Sequence, residues 1–309
     1  MTAAYLLFWP VPIEPESWTP PRAPLASANS ALAGVELLEA SLPAPEAPTF
    51  DAEGRIVAGL LDGRIVRFTP SGHDLTVLAQ TGGRPLGLKY DPDGRLIVAD
   101  AQRGLLAIGA PGTVETLATE HDGQPLRLVD DVDVGKDGAV YFSNATARWP
   151  LDRYKMDVIE HRPSGRLFVY RPDRGLQLVL GGLYFANGVA LAPDESYVLV
   201  AETMSYRIRR IFLSGPRAGE NDVFVDNLPG FPDNIRWSPA RRAFWIALVA
   251  PREPAIDALG RGRSCEKCSR ACPSCFNWPP SAMRGLLRST RKVALWPMCR
   301  TRRLRLTRL

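Results

Sequence analysis

The sequence predicts an all-β fold, a six-bladed β-propeller in which about five blades are recognisable and the last is missing or disrupted. Three observations predict it. A hairpin pattern recurs five times, its turns are 40 to 57 residues apart, and no stretch of the body keeps a 3.6-residue apolar period. Periods of this size, with several short strands in each, are typical of propeller blades. The 309 residues are 45% hydrophobic, which is enough for a packed core.

The five repeats share one order: a strand-like start, a polar two-residue turn, and a β-branched or aromatic run. Asp-Gly and Glu-Gly turns between alternating apolar residues are strong hairpin signals. The second turn residues are spaced by 40, 44, 57 and 46 positions, and we expect each repeat to form the first hairpin of one blade. The repeats are residues 49–59, 89–100, 133–144, 190–202 and 236–248, with second turn residues Gly54, Gly94, Gly138, Glu195 and Arg241.

Residues 1–42 are predicted to be an N-terminal arm and a Pro-rich connector that precede the propeller. The apolar run from Ala3 to Trp9 ends at Pro10 and is far shorter than the roughly 20 residues that a spanning helix needs. Two interpretations remain open: a surface strand or hydrophobic arm, and the stub of a membrane anchor that begins upstream. Weak membrane association is expected of either. The protein would be membrane-associated or exported in the second case and cytoplasmic otherwise.

The propeller itself is predicted to span residues 43–252. The third repeat is longer than the others because of an insertion around residues 148–165. We expect this insertion to form a loop or a short helix over one face of the ring.

Four repeats place an oxygen-bearing side chain eight residues before the second turn residue. These are Glu46, Asp130, Asn187 and Asp233, whereas the second repeat has Leu86 there. Asp and Asn are common in turns and at strand ends, where they bind their own backbone. Four matches in one register instead predict convergence on the propeller axis. Carboxylate and amide oxygens suit Ca²⁺, which takes 6–8 oxygen ligands, and the lack of His or Cys in this register argues against zinc.

The segment from Gly165 to Pro239, with its FANGV and FPDNIRWSP motifs, resembles the strictosidine synthase-like branch of the six-bladed calcium propellers, whose wider relatives are gluconolactonases and paraoxonases. The resemblance covers roughly residues 43–252. It implies one divalent cation, Ca²⁺ or another, held by the same Glu46, Asp130, Asn187 and Asp233. Asp130 departs from the pattern, because the relatives usually have Asn there.

The same resemblance implies a metal-dependent hydrolase of small lactones or aryl esters, with Asp233 or Asp130 as general base. The segment that carries the catalytic Glu of true strictosidine synthases is not found here, so condensation of an amine with an aldehyde is not expected. The alternatives are a non-catalytic binding propeller and an inactive, truncated product.

Four further residues are weaker candidates for a place near the channel. His161 lies in the insertion and would match the histidines that paraoxonases use, although a solvated loop histidine is the favoured interpretation. Asp100, Asn144 and Glu202 end inner strands, and they would either line the channel or serve the core and rim of the ring.

Residues 253–309 are predicted to be an irregular basic tail. Residues 254–309 contain 13 Lys and Arg but two acids, and all five cysteines lie between Cys265 and Cys299. Paired CxxC motifs suggest a metal site, and the charge suggests a nucleic-acid arm. A frame shift is the favoured hypothesis, because permitted codons for residues 288–302, read two nucleotides later, give the blade-like hairpin LDEEGRVVANVQDP. No nucleic-acid partner is therefore expected.

Overall fold

The computed structural model describes residues 14–21, 42–254, 256–257 and 294–299, the last six in their backbone only. This part of the chain is nearly all β. Five of its six antiparallel sheets, here called blades 1 to 5, have their strands hydrogen-bonded in chain order, and the sixth is a two-stranded hairpin. The predicted propeller fold is confirmed, with about five blades visible. No helix in the described ranges is long and apolar enough to cross a membrane.

The strand bounds follow blade by blade. Blade 1 contains β1 (Glu46–Phe50), β2 (Ile56–Gly59), β3 (Arg64–Phe68) and β4 (Thr76–Gln80); blade 2 contains β5 (Pro85–Tyr90), β6 (Leu96–Asp100), β7 (Gly104–Ile108) and β8 (Val114–Ala118). A small hairpin of β9 (Glu120–His121) and β10 (Gln124–Pro125) follows. Blade 3 contains β11 (Val129–Val134), β12 (Val140–Asn144), β13 (Gly165–Arg171) and β14 (Gly175–Leu183). Blade 4 contains β15 (Ala186–Leu191), β16 (Tyr197–Glu202), β17 (Arg207–Phe212) and β18 (Asn221–Val225), and blade 5 contains β19 (Gly230–Ser238), β20 (Ala243–Pro251) and β21 (Ala294–Cys299).

The five predicted hairpins are the first two strands of the five blades. Their turns close where one residue takes a left-handed conformation, which glycine adopts without steric cost. The fourth turn uses Glu195 (φ 54°), as predicted, but the fifth uses Arg242 (φ 50°), one residue beyond the predicted Arg241. The first three use Gly54 (φ 76°), Gly94 (φ 81°) and Gly138 (φ 78°).

The first strands of the blades pack against one another in succession, β1 on β5, β5 on β11, β11 on β15 and β15 on β19. Two glycines allow this close approach. A Cβ atom added to Gly87 would lie 2.7 Å from the Cα of Asp131, and one added to Gly188 would lie 2.2 Å from the backbone oxygen of Asp233. Any larger side chain would push neighbouring blades apart near the ring axis.

The core lies between adjacent blades. Fully buried side chains such as Ile97 and Leu105 of blade 2 share a cluster with Val129 and Phe142 of blade 3. Each buried residue of this size contributes roughly 1.5–3 kcal/mol relative to its exposed state. The blade stack therefore holds the inner strands, and whatever they carry, in fixed positions.

The insertion in blade 3 forms a 3₁₀ turn (Leu151–Arg153) and a short helix, α1 (Tyr154–Glu160), as predicted. The N-terminal segment 14–21 packs on it: the Glu14 backbone N–H donates to Glu160 Oε1 at 2.9 Å, and Trp18 stacks on His161 with ring centroids 4.0 Å apart. The side chains of Leu151, Tyr154 and Val158 pack against the apolar cluster described below.

The tail, expected to be irregular, contributes β21 to blade 5, where it pairs antiparallel with β20. The CxxC pairs between Cys265 and Cys275 and the apolar run from Ala3 to Trp9 lie outside the described residues.

Candidate metal centre

Three of the four predicted ligands occupy equivalent positions in bulges of the inner strands. In β11, β15 and β19, two residues oppose a single residue of the next strand, which interrupts the regular alternation of side chains. Such bulges re-aim side chains and are common beside active sites. The paired residues are Asp130-Asp131, Asn187-Gly188 and Asp233-Asn234, and the predicted ligand comes first in each.

Glu46 is positioned differently. It is the first residue of β1 and pairs with Gly59, immediately before the bulge of that strand. Its carboxylate reaches blade 2, where Arg84 Nη2 donates to Glu46 Oε2 at 3.3 Å. The uniform spacing of eight residues is thus not a strict structural register, because the bulges fall at different distances from the turns.

The three carboxylates among these residues act on each other electrostatically. Burial raises the pKa of Asp130 well above its usual range, and the charges of Asp233, Asp131 and Glu46 raise it further. Burial, followed by the charges of Glu46 and Asp131, raises the pKa of Asp233 to about 7. The structure therefore brings these acids close enough to act on one another, with Asp130 buried and with Glu46 and Asp233 partly exposed.

Glu46 and Asn187 belong to the same environment. Burial raises the pKa of Glu46, while the guanidinium of Arg84 opposes that rise. The side chain of Asn187 lowers the pKa of Asp233. All four predicted residues are thus linked through their effects on the pKa values of the acids.

The donor set fits a divalent cation in its chemistry. The Oδ1 atom of Asn187 is buried and accepts no hydrogen bond from the described residues, although an unsatisfied buried acceptor costs roughly 1–3 kcal/mol. Around it, the carboxylates of Glu46, Asp130, Asp131 and Asp233 outnumber the guanidinium groups of Arg84 and Arg236 by two. Within the described ranges, however, no three His, Cys, Asp or Glu side chains are grouped as metal ligands.

Asp131 and Arg236 were missed at the sequence level. Asp131 is fully buried, and Arg236 Nη1 and Nη2 each donate to one of its oxygens at 2.7 Å. The backbone N–H of Val189 donates to the same carboxylate at 2.9 Å. This arrangement joins blades 3, 4 and 5, and both carboxylate oxygens of Asp131 already accept hydrogen bonds from the protein. The Asp-Asp doublet at 130–131 is the only sequence signal for it.

Asp100, Asn144 and Glu202 have a structural role. Each is fully buried and ends the second strand of its blade, where its side chain accepts the backbone N–H just before the first strand. These bonds close the inner end of blades 2, 3 and 4. They join Arg84 N to Asp100 Oδ1 at 2.9 Å, Leu128 N to Asn144 Oδ1 at 3.2 Å and Tyr184 N to Glu202 Oε1 at 3.1 Å.

His161 is not the solvated loop residue that was favoured from the sequence. It is 3% exposed and lies between the rings of Trp18 and Tyr184, which stack on it at 4.0 and 4.7 Å. The prediction is wrong because the N-terminal segment packs across the insertion, a contact between residues far apart in sequence.

An apolar layer lies at the inner ends of the blades. Leu86, Leu128, Phe185 and Phe231, from the starts of four blades, belong to one buried cluster that the insertion covers. Nearby, a rim cavity of about 270 Å³ lies between the insertion and blades 2 and 3, lined by Ala101, Gln102 and residues 125–127 and 150–152. None of the four predicted ligands lines that cavity.

Comparisons with known proteins agree with this architecture. The family model described as strictosidine synthase matches residues 130–216, and the one described as strictosidine synthase-like, N-terminal, matches residues 26–68. The chain is 33% identical over 265 residues to the adipocyte plasma membrane-associated protein of Rattus norvegicus, which covers 78% of this chain and 69% of that protein.

Two further relatives show similar identity over shorter stretches. The adipocyte plasma membrane-associated protein of Salmo salar is 40% identical over 217 residues (64% of this chain, 51% of that protein). Protein STRICTOSIDINE SYNTHASE-LIKE 10 of Arabidopsis thaliana is 39% identical over 227 residues (66% and 60%). The chain thus spans 51–60% of the length of these two relatives.

Solved structures share the fold at lower identity. A gluconolactonase from Xanthomonas campestris superposes with a TM-score of 0.56 at 21% identity, over 68% of this chain and 71% of that one. A calcium-binding protein, regucalcin, from Agrobacterium tumefaciens superposes with a TM-score of 0.52 at 19% identity, over 67% and 68%.

Proposed function

The chain belongs to the strictosidine synthase-like family, and we propose from this membership that it is a divalent-cation-dependent hydrolase of small lactones or aryl esters. Ca²⁺ is the first cation to test, held by Glu46, Asp130, Asn187 and Asp233. The observation that carries the proposal is that burial and neighbouring carboxylates raise the pKa values of all three acids and that the buried amide oxygen of Asn187 accepts no hydrogen bond from the described residues. The gluconolactonase and the calcium-binding protein among the structural neighbours suggest which substrate and ion to try first.

The cation fits because the site gathers acids that compete for charge. Carboxylates taken out of water repel each other and hold protons, which is why the pKa values of Asp130 and Asp233 are raised. A divalent ion would displace those protons and balance the charges of the carboxylates that they leave. When bound, it would supply Lewis-acid polarisation of the substrate's acyl oxygen.

The proton chemistry falls to the carboxylates. A general base must reach the proton that it removes, and carboxylates beside the proposed cation would be placed to do so. Asp233, or Asp130 if Asp233 is engaged by the cation, would accept a proton from the attacking water and return it to the leaving alkoxide. The apolar layer under the insertion would exclude bulk water from this exchange.

The test measures binding and catalysis on the same protein. Calcium binding is followed by isothermal titration calorimetry, and hydrolysis of phenyl acetate and of a panel of lactones is followed with calcium and with a chelator. We expect calcium-dependent hydrolysis that falls by roughly 100-fold or more in Asp233→Ala. Asp173→Ala, in an exposed turn of blade 3, is the matched control and should change neither measurement.

Two results would contradict the proposal in different ways. Calcium binding without hydrolysis of any substrate would favour a non-catalytic binding propeller, an alternative consistent with the absence of a grouped ligand cluster among the described residues. No calcium binding by the folded protein would remove the proposed centre altogether.

A further inference from the structure

Blade 2 differs from the other four at the inner end of the ring. Blades 1, 3, 4 and 5 each supply one oxygen ligand for the proposed cation. Blade 2 has Leu86 at that position, and Arg84 lies two residues before it. The side chain of Arg84 is 8% exposed, which is rare for an arginine unless its charge is matched. One sector of the site therefore carries a buried positive charge.

The contacts of Arg84 leave part of the guanidinium unsatisfied. Nη2 donates to Glu46 Oε2 at 3.3 Å, a long contact for a charged pair, whose bonds are normally 2.7–2.9 Å. Nη1 is buried and donates to no described group. The charge of Arg84 nevertheless acts on Glu46, Asp100 and Asp130, which places it beside two of the proposed cation ligands.

Two arginines that form close ion pairs in this ring have a different geometry. Arg236 binds both oxygens of Asp131 at 2.7 Å, and Arg210 binds both oxygens of Asp222 at 2.9 and 2.6 Å. Such two-pronged pairs satisfy the guanidinium and fix its position. Arg84 has one long contact and one free donor, so its set of acceptors is incomplete.

We propose that Arg84 binds the carboxylate of the ligand, and that the channel takes hydroxy acids and the lactones from which they form. This inference rests on the proposed function, because opening a lactone produces a carboxylate beside the proposed cation. A planar guanidinium recognises a carboxylate through two parallel N–H donors, and one of them, on Nη1, is already available. Arg84 would thus distinguish acids from uncharged polyols.

Binding of gluconate tests the proposal without relying on turnover. Gluconate is titrated into the calcium-saturated protein by calorimetry, and sorbitol, which has the same hydroxyl chain without a carboxylate, is titrated in parallel. We expect gluconate but not sorbitol to bind, and the affinity for gluconate to fall roughly 10- to 100-fold in Arg84→Met, the loss typical of a charged hydrogen bond. Arg84→Lys, which keeps the charge but loses the fork, should retain part of the affinity.

Controls separate this role from a role in folding. Arg174→Met, in an exposed turn of blade 3, should leave gluconate binding unchanged. Melting curves of all variants show whether the fold survives, and Arg84→Lys provides a folded alternative if Arg84→Met is unstable.

Each outcome bears on a stated idea. If calcium binds but gluconate does not, or if gluconate binds equally well to wild type, Arg84→Met and Arg84→Lys, the role of Arg84 is refuted while the proposed cation site stands. If calcium itself fails to bind, the proposed function and this inference fall together.

Discussion

Asp233 illustrates the conflict between stability and function at the scale of one residue. Its carboxylate is held among other acids, and its pKa is raised from 3.8 to about 7 by burial and by Glu46 and Asp131. The folded protein keeps a proton there that the unfolded chain loses. Stability of the cation-free protein therefore falls as pH rises from about 4 to about 7.

Asp233→Asn should relieve this cost. At pH 8 and with a chelator present, we expect the variant to be more stable than wild type by about 2–4 kcal/mol, the free energy of a pKa shift of this size. Added calcium should then raise the melting temperature of wild type but not of the variant. Chemical denaturation measures the difference in the free energy of unfolding, and melting curves with and without calcium measure the change in melting temperature. An Asp233→Asn variant that is less stable without cation would contradict this account.

Asp157 carries a second buried carboxylate, in α1 of the insertion. Its side chain is buried and accepts a hydrogen bond from Ser164 Oγ at 3.2 Å. Burial comes first among the causes that raise its pKa to about 6; Glu160 adds to the rise and Arg148 opposes it. The folded state again holds a proton that the unfolded chain releases. Ionisation of Asp157 therefore lowers the stability of the folded protein as pH rises from about 4 to about 6.

Asp157→Asn should remove that pH dependence. We expect the variant to gain about 2 kcal/mol over wild type between pH 5 and pH 8, because Asn cannot ionise. Asp152→Asn, exposed in the same insertion, should parallel wild type at both pH values. Denaturation curves at the two pH values measure the difference, and an unchanged pH slope in Asp157→Asn would show that the carboxylate does not hold a proton.

Inner strands are the elements that place the site, and their spacing depends on glycine. Gly188→Ala would set a Cβ atom 2.2 Å from the backbone oxygen of Asp233 and 2.6 Å from the amide nitrogen of Ile235. Because both are backbone atoms, β19 has to move. We expect a loss of about 1–3 kcal/mol in stability and weaker calcium binding, measured by denaturation and calorimetry.

Gly181→Ala is the matched control for that substitution. It lies on β14, where the nearest atom to an added Cβ is 3.9 Å away. Both properties should stay close to those of wild type. Equal effects of the two substitutions would mean that the close approach of β15 and β19 does not position Asp233.

The pair of Asp131 and Arg236 ties three inner strands together. Asp131 is fully buried, whereas Arg236 is 31% exposed. Arg236→Gln therefore leaves a buried charge without compensation, which typically costs about 3–5 kcal/mol. We expect Arg236→Gln to approach that loss, Asp131→Asn to cost less, and the double variant to lose far less than their sum. A double-mutant cycle on Arg210 and Asp222, which are about a quarter exposed, should give a coupling below about 1 kcal/mol. Similar coupling energies for the two pairs would show that the Asp131–Arg236 pair does not hold the three inner strands together.

Elements of this kind were predictable from sequence only where their causes are local. The first three hairpins follow from Asp-Gly and Glu-Gly turns, whose glycines meet the left-handed conformation that the turn requires. The fifth turn lacks glycine, and its left-handed residue was misplaced by one position, to Arg241. The bulges that carry Asp130, Asn187 and Asp233 have no sequence signature of their own, so their equivalence emerged only from strand pairing.

Contacts between distant residues could not be predicted. Arg236 reaches Asp131 across 105 positions, and His161 is buried by Trp18 of the N-terminal segment. The sequence shows which residue types occupy these positions, but it does not show which residues contact each other. The four proposed ligands were found because they recur in the repeat, whereas Arg84 was not, because it occurs in one blade alone.

At the scale of the whole molecule, the ring is open within the described part of the chain. The inner strands pack in succession from β1 to β19, and β19 does not pack on β1 as the other neighbours do. Phe50 of β1 is 63% exposed. Its cross-strand partner Ile56 is partly buried, and the cluster on which Ile56 packs is itself covered, because Leu60 and Val66 are fully buried.

An exposed aromatic side chain such as Phe50 can be buried against a second copy of the chain, and we expect the purified protein to self-associate as its concentration rises. Phe50→Lys should shift the distribution towards monomer in light scattering coupled to size exclusion, because a charge cannot be buried cheaply between two copies. Leu178→Lys, which changes a 48% exposed leucine on the outer strand β14 of blade 3, should leave the distribution unchanged. If wild type is monomeric at every concentration and melts in one sharp transition, the exposed Phe50 does not drive association and this prediction is wrong.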